Sequence, residues 1–230
     1  VKFQSYKTEL LVKKDLSQET YQKKNCRNDE TQHDMLKKYE LNEGDMRRLK
    51  EESDKIGLEF ISTPYDKLSV DFLETLGVST YKIGSGEVGN WPFIKTIAKS
   101  GRPVVLSTGM YTLEEIRETL EVISSVGNRN VAVLHCVTKY PVPSDEINLF
   151  AIQELRESFK NPIGYSDHSE GILFPVVAVA LGAKLIEKHI TLDFDVPNAQ
   201  DWKVSCGPET LTALVEQIRT LEKGLGPGNK

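Results

Sequence analysis

From residue 58 onward one unit recurs: a short apolar run, a polar turn, then an amphipathic helix. The runs are "LEFISTP" (58–64), "TYKIGSG" (80–86), "PVVLSTG" (103–109), "VAVLHCV" (131–137), "PIGYSD" (162–167) and "KLIEKHI" (184–190), and their starts lie 22 to 31 residues apart. That interval holds one strand, one helix and two loops. The runs are nearly continuous rather than alternating in polarity. Strands of that kind, linked by helices, belong to a parallel sheet covered on both faces. Adding "VKFQ" (1–4) brings the count to seven strands.

A closed (β/α)8 TIM barrel needs eight strands, typically in about 250 residues. The chain starts inside what reads as a strand, so the expected fold class is an α/β barrel apparently lacking its first βα unit. Such a piece would carry two unpaired strand edges and is expected to be inactive or poorly soluble alone. An open doubly wound sheet is the other option, but no GxGxxG turn follows the first strand. The predicted organisation is one barrel domain over residues 1–224, with 225–230 as a tail or the start of a linker.

Helix signals sit where the repeat requires them. "TLEEIRETLEVI" opens with Thr112 and has Glu115 three residues later, a capping box, with Leu113, Ile116, Leu120 and Ile123 on one face. "NLFAIQELRESF" predicts a helix capped by Asn148, with Ile152, Leu155 and Phe159 inward. The last helix is predicted to bury Leu211, Leu214, Ile218 and Leu221 and to stop at Gly224. Residues 5–57 are polar and irregular, a long connection suited to a lid, with a short helix around Met35–Tyr39 and another turning Met46, Leu49 and Ile56 inward.

Charge narrows the partners. With 29 Lys and Arg against 34 Asp and Glu, the net charge is −5 and no basic stripe is present, which argues against nucleic acid or an anionic membrane. No apolar run approaches the roughly 20 residues of a membrane span, and "VKFQSYKTEL" has no signal-peptide pattern. Cys26, Cys136 and Cys206 are far apart with no CxxC pair, so a reduced, cytoplasmic setting is expected.

In a parallel barrel the C-terminal ends of all strands open on one face, where the active site lies. Residues at those ends should therefore converge. They are Lys2 and Gln4; Thr63; Lys82, Ser85 and Glu87; Ser107 and Thr108; Thr138, Lys139 and Tyr140; Ser166, Asp167 and His168; and Glu187, Lys188 and His189. Lys2, Lys82 and Lys188, with Ser85, Ser107, Ser166 and the nearby glycines, have the ammonium, hydroxyl and N–H groups that a phosphate needs. His168 and His189 could hold a divalent metal and leave positions open for substrate. Glu87, Asp167 and Asp201 are candidates for acid–base work. Each residue taken singly also has a plain reading as an ion-paired or solvated group. His135 lies within a strand and reads as a satisfied core histidine; His33 reads as surface.

The strings "KFQ", "FISTPYD", "YKIGSGE", "STGM", "HCVTKYPVP", "NLFAI", "IGYSDHSEG" and "ALGAKLIEKHITLD" occur in the order found in the sialic acid synthase family. The chain resembles that group, which includes N-acetylneuraminate, legionaminate and pseudaminate synthases, over nearly all of residues 1–222. The resemblance implies a barrel that condenses phosphoenolpyruvate with an N-acylated hexose such as N-acetylmannosamine, releasing phosphate by C–O cleavage. It implies a divalent metal, Mn²⁺ or Mg²⁺, on His168 and His189, and a homodimeric full-length protein. Phosphoenolpyruvate contacts match Lys2, Thr63, Lys82, Ser85, Ser107 and Ser166; sugar-facing positions match Gln4, Tyr140 and Asp201; Glu87 matches the catalytic carboxylate.

Departures from the family pattern bear on the sugar. The family's "AEIGxNHxG"-type first strand and its small C-terminal antifreeze-like domain have no counterpart in these residues. Thr138 stands where some members have asparagine, and "VPNAQDWKVSCGPE" sets Trp202 beside Asp201. Two other readings stay open: a phosphoenolpyruvate-dependent synthase of another 3-deoxy-ulosonate, and a non-catalytic barrel that binds sugar or phosphate.

Overall fold

Every apolar run of the repeat forms a strand in the computed structural model, which describes residues 1–26, 30–194, 196 and 199–226. Part of the expected tail, residues 227–230, lies outside the described residues. The chain divides into two compact units, Val1–Lys23 with Asn28–Leu106 and Tyr111–Val131, and Lys24–Arg27 with Ser107–Met110 and Ala132–Lys230.

In the first unit β1 (Lys2–Ser5), β2 (Ile61–Pro64), β3 (Tyr81–Ile83) and β4 (Val104–Ser107) follow one another as parallel neighbours. Between β1 and β2 run α1 (Thr8–Leu11), α2 (Thr20–Cys26), α3 (Gln32–Tyr39) and α4 (Glu43–Lys55). The other connecting helices are α5 (Lys67–Leu76), α6 (Trp91–Ala98) and α7 (Leu113–Ser124). Leu73, Ile94, Ile97 and Ile123 from the helices and Tyr81, Ile83 and Leu106 from the strands are fully buried in one core. Each such side chain contributes about 1.5–3 kcal/mol of apolar burial. Thr112 and Glu115 form the expected capping box on α7.

The polar connection is a folded layer, with Met35 and Met46 buried at 0% and 2% exposure. Two expectations for this unit change. Ile56 is 69% exposed, because α4 ends at Lys55 and the left-handed Gly57 (φ 73°) turns the chain outward. His33 is not a surface residue: its side chain is 12% exposed, with Nδ1 at 3.4 Å from Asp34 Oδ1. Its helix begins at Gln32, capped by the Thr31 side chain, which accepts from the Asp34 N–H.

The second unit contains β5 (Val131–Cys136), α8 (Ala151–Ser158), β6 (Ile163–Asp167), α9 (Leu173–Ala180), β7 (Ile186–Ile190), β8 (Ser205–Cys206) and α10 (Pro208–Leu225). Its strands are again parallel neighbours in chain order. The strand count made from sequence stops at β7; β8 adds an eighth by pairing His189 with Ser205 and Ile190 with Cys206. A Cβ at Gly164 on β6 would lie 2.5 Å from Leu134 Cδ2 and 2.6 Å from the Leu185 carbonyl, so this strand needs glycine for close packing.

Two helix ends also differ. Asn148 does not cap α8; it takes φ 49°, a left-handed conformation that Asn tolerates, and Phe150 is the N-cap. α10 runs through Gly224 to Leu225, and Gly226 (φ 60°) ends it. Of its apolar stripe only Leu214 is fully buried; Leu211, Ile218 and Leu221 are half-buried. Cys26, Cys136 and Cys206 are buried thiols, none of them in a disulfide. Among the described residues no helix is long and apolar enough to cross a membrane.

Candidate active site

Side-chain alternation decides which residues share a face, because successive strand residues point to opposite sides. In the first unit the Tyr81 hydroxyl donates to Glu74 on α5, so Tyr81 faces the helices and Lys82 faces away from them. Phe3 stacks on Phe60 at 5.0 Å between centroids, so Lys2 and Gln4 lie opposite the Phe3 face. Gln4 pairs with Thr63 across β1 and β2, and Ser62 pairs with Tyr81, which makes Thr63 and Lys82 neighbours in the next row. Lys2, Gln4, Thr63 and Lys82 thus occupy one face. Gln4 Nε2 donates to the Tyr65 hydroxyl at 3.3 Å. Thr63 and Lys82 are only 2% and 4% exposed.

Beyond β3 the chain turns through Ser85–Glu87. Burial pushes the Glu87 carboxyl above the ordinary carboxylate range, and the Asn90 side-chain amide, donating to Oε2 at 2.7 Å, works against that rise. Asn90 escapes a reading of strand ends because it sits three residues past the turn.

In the second unit the remaining candidates lie at the ends of β5, β6 and β7 and at Ser107 and Thr108, where β4 ends. Ser107 is buried. Beside it, the Thr108 backbone N–H and hydroxyl donate to the Leu134 carbonyl at 3.1 and 2.9 Å, committing Thr108 to the backbone. Thr138 Oγ1 lies 2.6 Å from where a Gly109 Cβ would stand, so the "STGM" turn packs directly against the "HCVTKY" turn.

His168 and His189 meet edge to face with ring centroids 5.4 Å apart. Tyr140 lies 4.1 Å from the His168 ring and 5.9 Å from the His189 ring. The Val137 carbonyl accepts from His168 Nδ1 at 2.8 Å, which puts the ring proton on Nδ1 and leaves Nε2 as the basic nitrogen. Cys136 Sγ packs 3.7 Å from the same Nδ1. Asp201 Oδ2 stands 3.8 Å from His189 Nδ1. Ser166 Oγ donates to Glu187 Oε1 at 2.7 Å across the β6–β7 register.

Lys188 is placed differently from its neighbours. Its ammonium donates to Asp167 Oδ2 and to the Ser169 carbonyl, each at 2.5 Å, and its side chain is 3% exposed. Alternation along β7 sets it on the face opposite Glu187 and His189. Asp167 is equally committed, accepting from the Tyr165 hydroxyl at 2.8 Å and from the Ser169 N–H at 3.1 Å and hydroxyl at 3.0 Å. His135, by contrast, is a core histidine: Nε2 contacts the Ile147 carbonyl at 2.8 Å, and burial lowers its pKa.

Among the described residues no group of three or more His, Cys, Asp or Glu side chains is arranged to hold a metal ion. The His168–His189 pair fits a site with two protein ligands: the rings are adjacent, and one has its second nitrogen anchored on a carbonyl, as metal-binding imidazoles usually do.

A family model described as the NeuB family matches residues 1–230. The chain belongs to the NeuB family. It is 44% identical to the N,N'-diacetyllegionaminic acid synthase of Campylobacter jejuni, covering 100% of this chain and 69% of that protein. It is 42% identical to the enzyme of the same name from Legionella pneumophila, covering 65% of its length. The human N-acetylneuraminate-9-phosphate synthase is 36% identical over 83% of this chain and 53% of its own. The chain thus spans roughly two thirds or less of these relatives, all of which are named synthases.

Among solved structures, the N-acetylneuraminic acid synthetase of Leptospira borgpetersenii superposes with a TM-score of 0.87 at 34% identity, covering 99% of this chain and 74% of that one. The fold class is therefore the (β/α)8 TIM-type barrel of this NeuB relative. A DAHP synthase from Thermotoga maritima, 21% identical with a TM-score of 0.72, shares the fold.

Proposed function

We propose that this NeuB-family chain, with residues 1–224 as its barrel domain, condenses phosphoenolpyruvate with an open-chain N-acylated hexose to form a nonulosonic acid. The observation that carries the reading is the His168–His189 pair beneath Tyr140, at the ends of two adjacent strands of a NeuB barrel. C3 of phosphoenolpyruvate attacks the sugar aldehyde carbon, water adds at C2, and the C2–O bond breaks to release inorganic phosphate. Lys2 and Lys82, with Thr63, Ser85, Ser107 and Ser166, hold the phosphate and carboxylate of phosphoenolpyruvate and stabilise the charge that builds on the leaving phosphate. Gln4, Thr138, Tyr140 and Asp201 face the sugar.

Glu87 supplies the proton that turns the aldehyde oxygen into a hydroxyl, a role favoured by the burial that keeps its carboxyl protonated to higher pH. His168 and His189 would hold a divalent cation, Mn²⁺ or Mg²⁺, which when bound supplies Lewis-acid polarisation of that aldehyde. The full-length protein acts as a homodimer in this reading. The sugar is N-acetylmannosamine-like or a precursor of legionaminate or pseudaminate.

The test is phosphate release from phosphoenolpyruvate by the full-length protein with a panel of N-acylated hexoses, with and without Mn²⁺. Cation-dependent release with an amino sugar is expected. Release only with erythrose 4-phosphate or arabinose 5-phosphate would move the chain to another ulosonate synthesis. No release with any acceptor would leave a binding barrel.

A further inference from the structure

Asp167 and Lys188 stand directly opposite each other in the β6–β7 register, and each immediately precedes one histidine of the pair. Their carboxylate and ammonium are 0% and 3% exposed. A buried ion pair is a poor source of net stability, since desolvation offsets most of its attraction, and its best-attested use is to fix a register. The surrounding bonds are arranged for that use. Lys188 binds Asp167 on one side of His168 and the Ser169 carbonyl on the other. Asp167 in turn binds the Ser169 N–H and hydroxyl, closing a three-residue turn with His168 at its apex. The Tyr165 hydroxyl holds the same carboxylate from two residues upstream. A slip of one residue between β6 and β7 would turn His189 to the other face, and a slip of two would displace it by about 6.6 Å along the strand.

We propose that Asp167 and Lys188 are a positioning pair: acting from the face behind the site, they hold His168 and His189 at the separation that lets both rings bind one cation. The cation follows from the synthase reading above; the ring placement does not depend on it. Lys188 on this account is not a contact for phosphoenolpyruvate.

The test compares the full-length protein with Asp167→Asn/Lys188→Gln, which removes both buried charges together. Cross peaks between His168 and His189 ring protons, read by NMR on histidine-labelled protein, are expected in the parent and lost in the variant. Co²⁺ affinity, followed by absorbance, is expected to fall 10- to 100-fold, the usual cost of losing a residue that orients a metal ligand. Turnover should fall through kcat, with KM for phosphoenolpyruvate unchanged. Lys188→Arg should retain cross peaks and affinity. If the double variant does not fold, Asp167→Asn alone is read by the same measurements. Retention of cross peaks and Co²⁺ affinity in a folded variant overturns the proposal. A raised KM with intact cross peaks also overturns it and returns Lys188 to the substrate. A parent that shows the cross peaks but no turnover sinks the synthase reading alone.

Discussion

The phenol ring of Tyr140 lies over the imidazole of His168, with centroids 4.1 Å apart and planes tilted by 33°. It meets His189 edge-on at 5.9 Å, so one aromatic ring touches both histidines. Aromatic pairs of this kind contribute about 0.5–1.5 kcal/mol beyond the area they bury. Tyr140→Phe keeps the ring and with it the stack on both imidazoles. Tyr140→Ala should lower the unfolding free energy by about 1 kcal/mol more than Tyr140→Phe, measured by urea denaturation. Equal stabilities for the two variants would show that the stack contributes nothing.

Burial raises the pKa of Glu87, and Asn90 partly restrains the rise. As the proton donor of the proposed reaction, Glu87 is active while protonated, so kcat/KM should fall as pH rises through its pKa. Asn90→Ala removes the restraining hydrogen bond and should move that descending limb to higher pH; movement to lower pH would contradict the assignment. Glu87→Gln should abolish the limb and reduce kcat by about 10²–10⁴-fold.

Glu40 gives a separate pH dependence in stability. Burial opposes its ionisation, but the Thr8 N–H, Lys37 and the Thr8 hydroxyl outweigh it and hold the carboxyl at about 2, against an ordinary 4.5. A folded-state pKa below the unfolded one stabilises the fold above the unfolded value and loses that contribution as pH falls toward the folded one. Urea midpoints of the parent and Glu40→Gln should therefore differ most above about pH 4.5 and converge near pH 2. A constant gap over that range would place the effect elsewhere.

Gly164 has no space for a methyl group. Its Cβ would press on Leu134 Cδ2, the Leu185 carbonyl and Leu185 Cβ at 2.5, 2.6 and 2.9 Å, and the carbonyl cannot swing away as a side chain can. Gly164→Ala should destabilise the protein by about 1–3 kcal/mol, the range for overpacking a tight core. A thermal melting temperature equal to the parent's would refute the packing argument.

Much of the barrel was legible because its signals are local. Apolar runs mark β1 to β7, and the Thr112–Glu115 capping box marks α7. The strand-end rule also picked out His168 and His189, which the structure brings together in one unit, and Lys2, Gln4, Thr63 and Lys82, which share a face in the other. It failed where a residue's neighbours come from distant sequence. β8 is two residues long, too short for any period, and exists only by pairing with His189 and Ile190. Ile56 followed the helical spacing but lay past the end of its helix. Lys188 was grouped with its chain neighbours although a period of two, readable in "EKH", already separates it from them; Asp167 supplies the reason it can be buried there.

The short β8 pairing has a consequence for how such a chain can change over time. Ser205 is joined to the backbone of His189 itself, so the chain leaves β7 and returns to it at nearly the same point. The pairing holds the strand end whatever side chain stands at Trp202, whereas Asp201, 3.8 Å from His189 Nδ1, is tied to the ring itself. A lineage can therefore vary the side chain at Trp202 around a fixed strand end, but cannot change Asp201 without touching the imidazole.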